Sequence, residues 1–291
     1  MANSGITFNP DRLKLDQWRF HAFLIPLTTF MALPLIFMFN HAFKPYSELF
    51  AYPPRFFVRR PTLENFIRLL TFSRESGIPI SRYIFNSVIT TSAVIFLTLI
   101  IGSAAAYALS KLEFKGKELL NKINVFSLMF VPIAVMIPRF LVLINLGIYN
   151  TYWAHIIPLL AMPVGIFLIK QFMDTNVPKE LIEAAKIDGA GNWRIYWSIA
   201  LPLVKPALVT VAILAFQISW ASTDGSNYFV DREALRTLPF YMNTVISQQG
   251  NIVVTAGIGA AAQLIMFIPN LIIFIIMQNK VMASMAHSGI K

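Results

Sequence analysis

Charged residues fall in clusters and leave long apolar gaps. No Asp, Glu, Lys or Arg occurs in 22–43, 83–110, 123–138, 140–169, 206–223 or 237–279. About 20 apolar residues are needed to cross some 30 Å of hydrocarbon as a helix. The pattern therefore predicts an all-α membrane protein with six helices near 21–43, 84–109, 123–145, 151–172, 203–222 and 256–279. Pro26, Pro34, Pro132, Pro138, Pro158, Pro163 and Pro269 lie within these spans. Each removes an amide donor and favours a bend, which neighbouring helices can re-satisfy in a membrane.

Two polar intervals carry further pattern. Pro61–Leu70 reads as a short amphipathic helix, with Thr62 as N-cap and Leu63, Phe66, Ile67 and Leu70 on one face. Residues 178–208 read PKELIEAAKIDGAGNWRIYWSIALPLVKPAL. Pro178 suits a first helical turn, and Glu180 and Glu183 suit the positive end of the helix, with Lys186 nearer the negative end. Asp188-Gly189-Ala190-Gly191 breaks the helix. Asn192 can cap a second, over 193–201, which Pro202 closes. The small residues Ala184, Ala185 and Gly189 allow close approach by another surface, and Glu183 offers a charge to it.

Composition agrees with a membrane solvent. The chain is 56% hydrophobic and 13% charged, against about 25% charged in soluble domains. The first 20 residues lack the apolar core and cleavage site of a secretory signal. Lys and Arg mark the cytoplasmic side. Lys111, Lys115, Lys117 and Lys122, together with Lys179, Lys186 and Arg194, put 110–122 and 173–202 inside, with both termini. Loop 44–82 conflicts, since it carries seven basic residues against Glu48, Glu64 and Glu75 yet falls outside. The expected layout is a cytoplasmic segment 1–20, one transmembrane domain 21–280 and a tail 281–291. External loop 44–82 and cytoplasmic loop 173–202 lie within that domain.

Several chemistries are excluded. There is no cysteine, so no disulfide or thiolate metal site can form. The single Gly-Lys pair, Gly116-Lys117, is followed by Glu118 where a P-loop needs Ser or Thr. His21, His41, His155 and His287 are too scattered for a metal site, and His155 reads as a membrane-interface residue. The net charge of +10 is spread over many loops, which suits anionic headgroups better than nucleic acid. No catalytic constellation is present, so an enzyme is not expected.

Glu183-Ala184-Ala185, three residues, Gly189, nine residues, then Ile199-x-Leu201-Pro202 resembles the EAA signature of ATP-binding-cassette importer permeases. Asn86-Ser87, Ala106–Lys117, Leu146–Ala154 and Pro61–Phe66 are similar to stretches of the maltose-type carbohydrate importers. The resemblance covers roughly 20–280. It implies a permease of a bacterial inner membrane, with six spans and both ends cytoplasmic, paired with a second homologous permease. Two ATPase subunits, which would bind ATP and Mg, would sit below, and a solute-binding protein above. This chain would bind no cofactor itself. Glu183, Ala184, Ala185, Asp188, Gly189 and Pro202 would form the ATPase-coupling element. The substrate implied is an oligosaccharide.

Intramembrane polar residues are candidates for the substrate path. Arg139 either meets an acidic, uronate-type sugar, snorkels to headgroups, or pairs with a carboxylate of the second permease. Gln217, Trp220, Gln263 and Asn270 either line the path or bind neighbouring helices. A secondary transporter or channel working alone is the alternative, and it leaves the 178–202 pattern unexplained.

Overall fold

The computed structural model describes residues 18–75, 77–248 and 252–288, which form helices and turns with no strand among the described residues. In chain order the helices are α1 (Trp18–Ala42), α2 (Tyr46–Leu49), α3 (Glu64–Glu75), α4 (Ile80–Lys111), α5 (Lys117–Ser127) and α6 (Met136–Asn145). There follow α7 (Tyr152–Leu160), α8 (Pro163–Asn176), α9 (Lys179–Ile187), α10 (Asn192–Leu203), α11 (Lys205–Ala221), α12 (Leu238–Gln248) and α13 (Ile252–Ser288).

Among the described residues three helices are long and apolar enough to cross a membrane unbroken: α1, α4 and the 256–278 part of α13. Up to three more arise if each bent pair is one span. These are α5 with Pro132–Asn145, bent by 112°, α7 with α8, bent by 44°, and α10 with α11, bent by 80°. The continuous helices expected over 123–145 and 151–172 are therefore broken. Val131 and Met162 each precede a proline, which pushes them out of the helical region, to ψ 123° and ψ 77°. At Val204 the backbone reaches φ −99°, ψ 12°. Pro206 follows two residues later, and its ring would collide with the Pro202 carbonyl in an unbroken helix. Pro26 and Pro34, by contrast, are carried inside α1.

The described residues divide into two compact units, those up to 67 with those of 252–264, and those of 68–248 with those from 265 onward. In the first, α1 exposes Phe23, Phe30 and Met31 along its length, as a helix solvated by lipid does. The loop after it is held by polar contacts. Asn65 Nδ2 donates to the Ala42 and Lys44 carbonyls at 3.0 and 2.9 Å. The Glu48 carboxylate accepts from the Arg59 and Arg60 amides at 3.0 and 2.9 Å. Val58 N donates to Asn40 Oδ1, and Lys44 Nζ to the Arg55 carbonyl. This anchoring corrects the expected face of α3. Leu63, Ile67 and Leu70 are exposed, and Asn65 and Leu69 are buried instead. Thr62 Oγ1 lies 3.5 Å from Glu64 N, at the limit of a cap bond.

In the second unit α4 is the central post, with α7, α8 and α11 against it. Its buried face is mostly small and polar: Asn86, Ser87, Thr90, Thr91, Thr98, Gly102, Ser103 and Ala106. Small faces let helix backbones approach closely where lipid supplies no hydrophobic drive. One apolar core runs from Val211 and Ile169 through Tyr107 and Met173 to Val177, Ile182, Ile195 and Ala200. It passes without interruption from the long helices into α9 and α10.

Candidate functional site

At the Lys111 end of α4 the chain builds a helical hairpin from α9 and α10. Helix α9 buries Ile182 and α10 buries Ile195 and Tyr196. The turn between them is a Schellman motif: Gly189 N bonds the Lys186 carbonyl and Ala190 N the Ala185 carbonyl, at 3.0 and 2.9 Å. Gly189 sits at φ +80° with open space around it, so its role is conformational. Ala185 and Ala190 both rest on the core cluster, the hydrophobic contact such a motif carries. Pro178 and Gly191, rather than a helical Pro178 and Asn192, occupy the two N-cap positions. Residues Tyr196–Ala200 form a π-helical turn, and Pro202 lies in the final turn of α10.

The hairpin is bolted to the long helices. The Ser103 hydroxyl donates to the Leu99 carbonyl, leaving its oxygen to accept from Tyr196 OH at 2.7 Å. Lys111 Nζ donates to the Val177 carbonyl at 2.7 Å. Asp174 accepts from Ser110 Oγ and pairs with Lys170 at 2.8 Å. The Tyr107 and Tyr196 rings lie 5.4 Å apart. A cavity of about 480 Å³ lies between α4 and α10, lined by Tyr107, Leu112, Asn192, Trp193 and Tyr196 among others.

The outward surface of the hairpin holds most of the residues named from sequence. Glu183, Ala184, Asp188, Gly189 and Pro202 are exposed, while Ala185 is half-buried. Beside them Leu181, Ile187, Trp193 and Trp197 are also exposed, Ile187 at 87%. A rigid hairpin that displays a carboxylate, small residues and large apolar groups suits a protein partner.

The residues named for a substrate path do not form one cluster. Arg139 is half-buried in a groove of about 260 Å³ between α6 and α7, with Val135, Val142, Leu146 and Ile157 around it. Trp220 is buried, stacks on Phe216 with centroids 5.7 Å apart, and donates Nε1 to the Met266 carbonyl at 3.1 Å. Asn270 Nδ2 donates to that same carbonyl at 3.0 Å. Both thus have a donor engaged in helix contacts. Gln217 and Gln263 are exposed.

Sequence reasoning missed a polar cap at the Ile80 end of α4. Asn86 Nδ2 donates to the Ala234 and Arg236 carbonyls, and its Oδ1 accepts from Tyr152 OH at 2.7 Å. Tyr83 OH donates to Glu233, which also pairs with Arg236 at 2.6 Å. Ser87 Oγ accepts from Leu238 N, and Asn150 Oδ1 from the Asp231 and Arg232 amides. Asn150 itself is left-handed, φ 59°. His155, expected at the membrane interface, is buried and donates Nε2 to the Leu235 carbonyl at 3.1 Å. The quoted Asn86-Ser87 and Leu146–Ala154 stretches were the available signal, since they supply one side of this cap.

Comparison with known proteins agrees with a helical membrane permease. Residues 98–281 match the family described as binding-protein-dependent transport system inner membrane component. A probable ABC transporter permease of Bacillus subtilis, YurM, is 33% identical over 90% of this chain and 84% of its own length. The arabinooligosaccharides transport permease AraQ of Halalkalibacterium halodurans is 31% identical over 89% and 90%. Among solved structures, a bacterial ABC transporter involved in the import of the acidic polysaccharide alginate superposes with a TM-score of 0.77. It is 22% identical and covers 92% of this chain and 98% of its own.

Proposed function

We propose a working role that starts from one fact: the chain belongs to the family of binding-protein-dependent transport system inner membrane components and is a multi-pass permease subunit of a sugar ABC importer. In that role it crosses the bacterial inner membrane six times, with each bent helix pair contributing one crossing and both termini cytoplasmic. It pairs with a second homologous permease, receives an oligosaccharide from a solute-binding protein, and rests on two ATPase subunits that bind ATP and Mg. This chain binds no cofactor of its own.

The observation that carries the reading is the hairpin. Glu183, Ala184, Ala185, Asp188, Gly189 and Pro202 lie on an element whose core is continuous with α4, α8 and α11. A push on its exposed face is therefore transmitted to the membrane helices as a rigid displacement, because close-packed interiors resist compression. The chain has no P-loop of its own, and in this role an ATPase docked on the hairpin supplies the force.

The test is purification of the chain in detergent with its co-expressed subunits, followed by reconstitution. The reading expects a retained ATPase, and hydrolysis that rises with sugar-loaded binding protein. Transport driven by an ion gradient, with no ATPase retained, would overturn it.

The sharper substrate reading, an acidic uronate-type oligosaccharide, turns on Arg139. Its groove is otherwise aliphatic, so a sugar would gain one guanidinium–carboxylate contact there and no hydroxyl partners. Pairing with a carboxylate of the second permease, or with a headgroup, fits the same surroundings. Arg139→Gln separates them. Selective loss of acidic over neutral oligosaccharide uptake supports the acidic sugar, and equal loss of both sinks it.

A further inference from the structure

Where α4 ends and α5 begins, the chain folds around a hollow of about 700 Å³. Its apolar wall is Leu109, Phe114 and Leu119. That wall continues along α5, where Leu119, Leu120, Ile123 and Phe126 are exposed. Its polar wall carries both signs of charge.

Two cations there already have partners: Lys117 pairs with Glu113 at 3.0 Å, and Lys170 with Asp174 at 2.8 Å. Set aside those pairs and two lining charges remain, Glu118 and Lys122, four residues apart on α5. Neither makes an ion pair or side-chain hydrogen bond among the described residues. The hollow therefore offers one cation, one anion and an apolar floor.

We propose that this hollow seats one phospholipid of the phosphatidylethanolamine class. The phosphodiester meets Lys122, the primary ammonium donates to Glu118, and an acyl chain lies on Leu109, Phe114 and Leu119. A choline headgroup has no N–H to donate to Glu118. A singly anionic glycerol headgroup would face that carboxylate with no cation of its own. The apolar floor asks for an acyl chain, which distinguishes a lipid from a free zwitterion. The site borders the contact between α4 and α8, because Lys170 in its wall holds the Asp174 that accepts from Ser110. Lipid occupancy thus adjoins the fastening of α4 to α8.

The experiment uses the complex reconstituted in nanodiscs of equimolar phosphatidylethanolamine, phosphatidylcholine and phosphatidylglycerol, with retained lipid read by native mass spectrometry. The wild type should retain phosphatidylethanolamine over each of the others by about fivefold, the size expected of one exposed charge contact, at Glu118. Lys122→Gln removes the contact common to all three headgroups and should lower total retention while keeping the ethanolamine preference. Glu118→Gln should turn it toward phosphatidylglycerol, a gain that a misfolded protein cannot produce. Equal retention of ethanolamine and choline lipids, a wild-type preference for phosphatidylglycerol, an unchanged preference in Glu118→Gln, or unchanged total retention in Lys122→Gln overturns the proposal. So does displacement of the lipid by soluble glycerophosphoethanolamine at millimolar concentration.

Discussion

Two glycines in the hairpin turn make a controlled experiment. Gly189 lies at φ +80° and Gly191 at φ −71°, ψ 160°, and neither has a foreign atom within 4 Å of an added Cβ. Alanine at either position meets no neighbour, so packing cannot distinguish them. Backbone conformation can, because a left-handed L-residue costs about 1–2 kcal/mol. Gly189→Ala should therefore raise the opening equilibrium of the turn roughly 5- to 30-fold, at about 1.4 kcal/mol per tenfold. Gly191→Ala should leave it unchanged or slightly less open, since its backbone is one any residue adopts. Gly189→Asn should recover part of the loss, because Asn tolerates the left-handed region better than Ala. Hydrogen exchange reads this directly at the amides of Asp188, Gly189 and Ala190, whose bonds close the turn. Coupled ATPase activity in the reconstituted complex should fall in the same order. If Gly189→Ala and Gly191→Ala exchange alike, or if Asn behaves no better than Ala at 189, the conformational argument is wrong.

Other outcomes are expected elsewhere. A Cβ on Gly225 would stand 2.3 Å from His155 Nδ1, so Gly225→Ala should destabilise by about 1–3 kcal/mol as an overpacking change. His155→Ala should relieve much of that in the double variant, read as a thermal shift; strict additivity would refute the contact. Asn86→Ala leaves two carbonyls and the Tyr152 hydroxyl short of a partner, for about 1–3 kcal/mol, and detergent-solubilised protein should melt earlier. Glu48 is held below its ordinary 4.5, first by the Arg59 amide, against an opposing burial effect, and then by the Arg60 amide and the charges of Lys44 and Arg55. Its depressed folded-state value means its contribution is present above 4.5 and fades as pH falls through that lower value. Proteolysis at Arg55–Arg60 should therefore rise with acid, with the dependence removed in Glu48→Gln; an identical acid profile in both would contradict it.

The sequence disclosed the turn chemistry well and the helix breaks poorly, for one physical reason. A glycine that ends a helix acts locally, so Gly189 could be read without knowing its surroundings. Gly147 ends α6 the same way, with Gly147 N on Ile144 O and Ile148 N on Leu143 O. Proline is ambiguous because neighbours decide whether its lost bond is tolerated. Pro26 and Pro34 remain inside α1 while Pro132 and Pro163 begin new helices. Buried polar anchors were hidden for a related reason. Asn65 rotates α3 against its hydrophobic periodicity, and Asn86 binds residues about 150 positions away. Neither partner can be guessed from spacing. Trp220, a candidate for sugar stacking, has its indole N–H tied to Met266, a contact made only once α11 and α13 are adjacent.

The π-helical turn at Tyr196–Ala200 has a consequence for where the hairpin points. An α-helix advances about 100° per residue, and a π turn holds one residue more than an α turn. The turn is a built-in phase shifter: Ile195 before it and Val204 after it both reach the same core. Delete one residue from 196–200 and an α-helical path keeps the flanks in nearly the same phase; rewind all five residues as α-helix instead, and Trp193 and Arg194 swing about 100° around the α10 axis relative to Val204. The azimuth at which this chain presents its exposed tryptophan is thus held by one under-wound turn, which takes up a supernumerary residue while Tyr196 and Ala200 stay buried in the shared core.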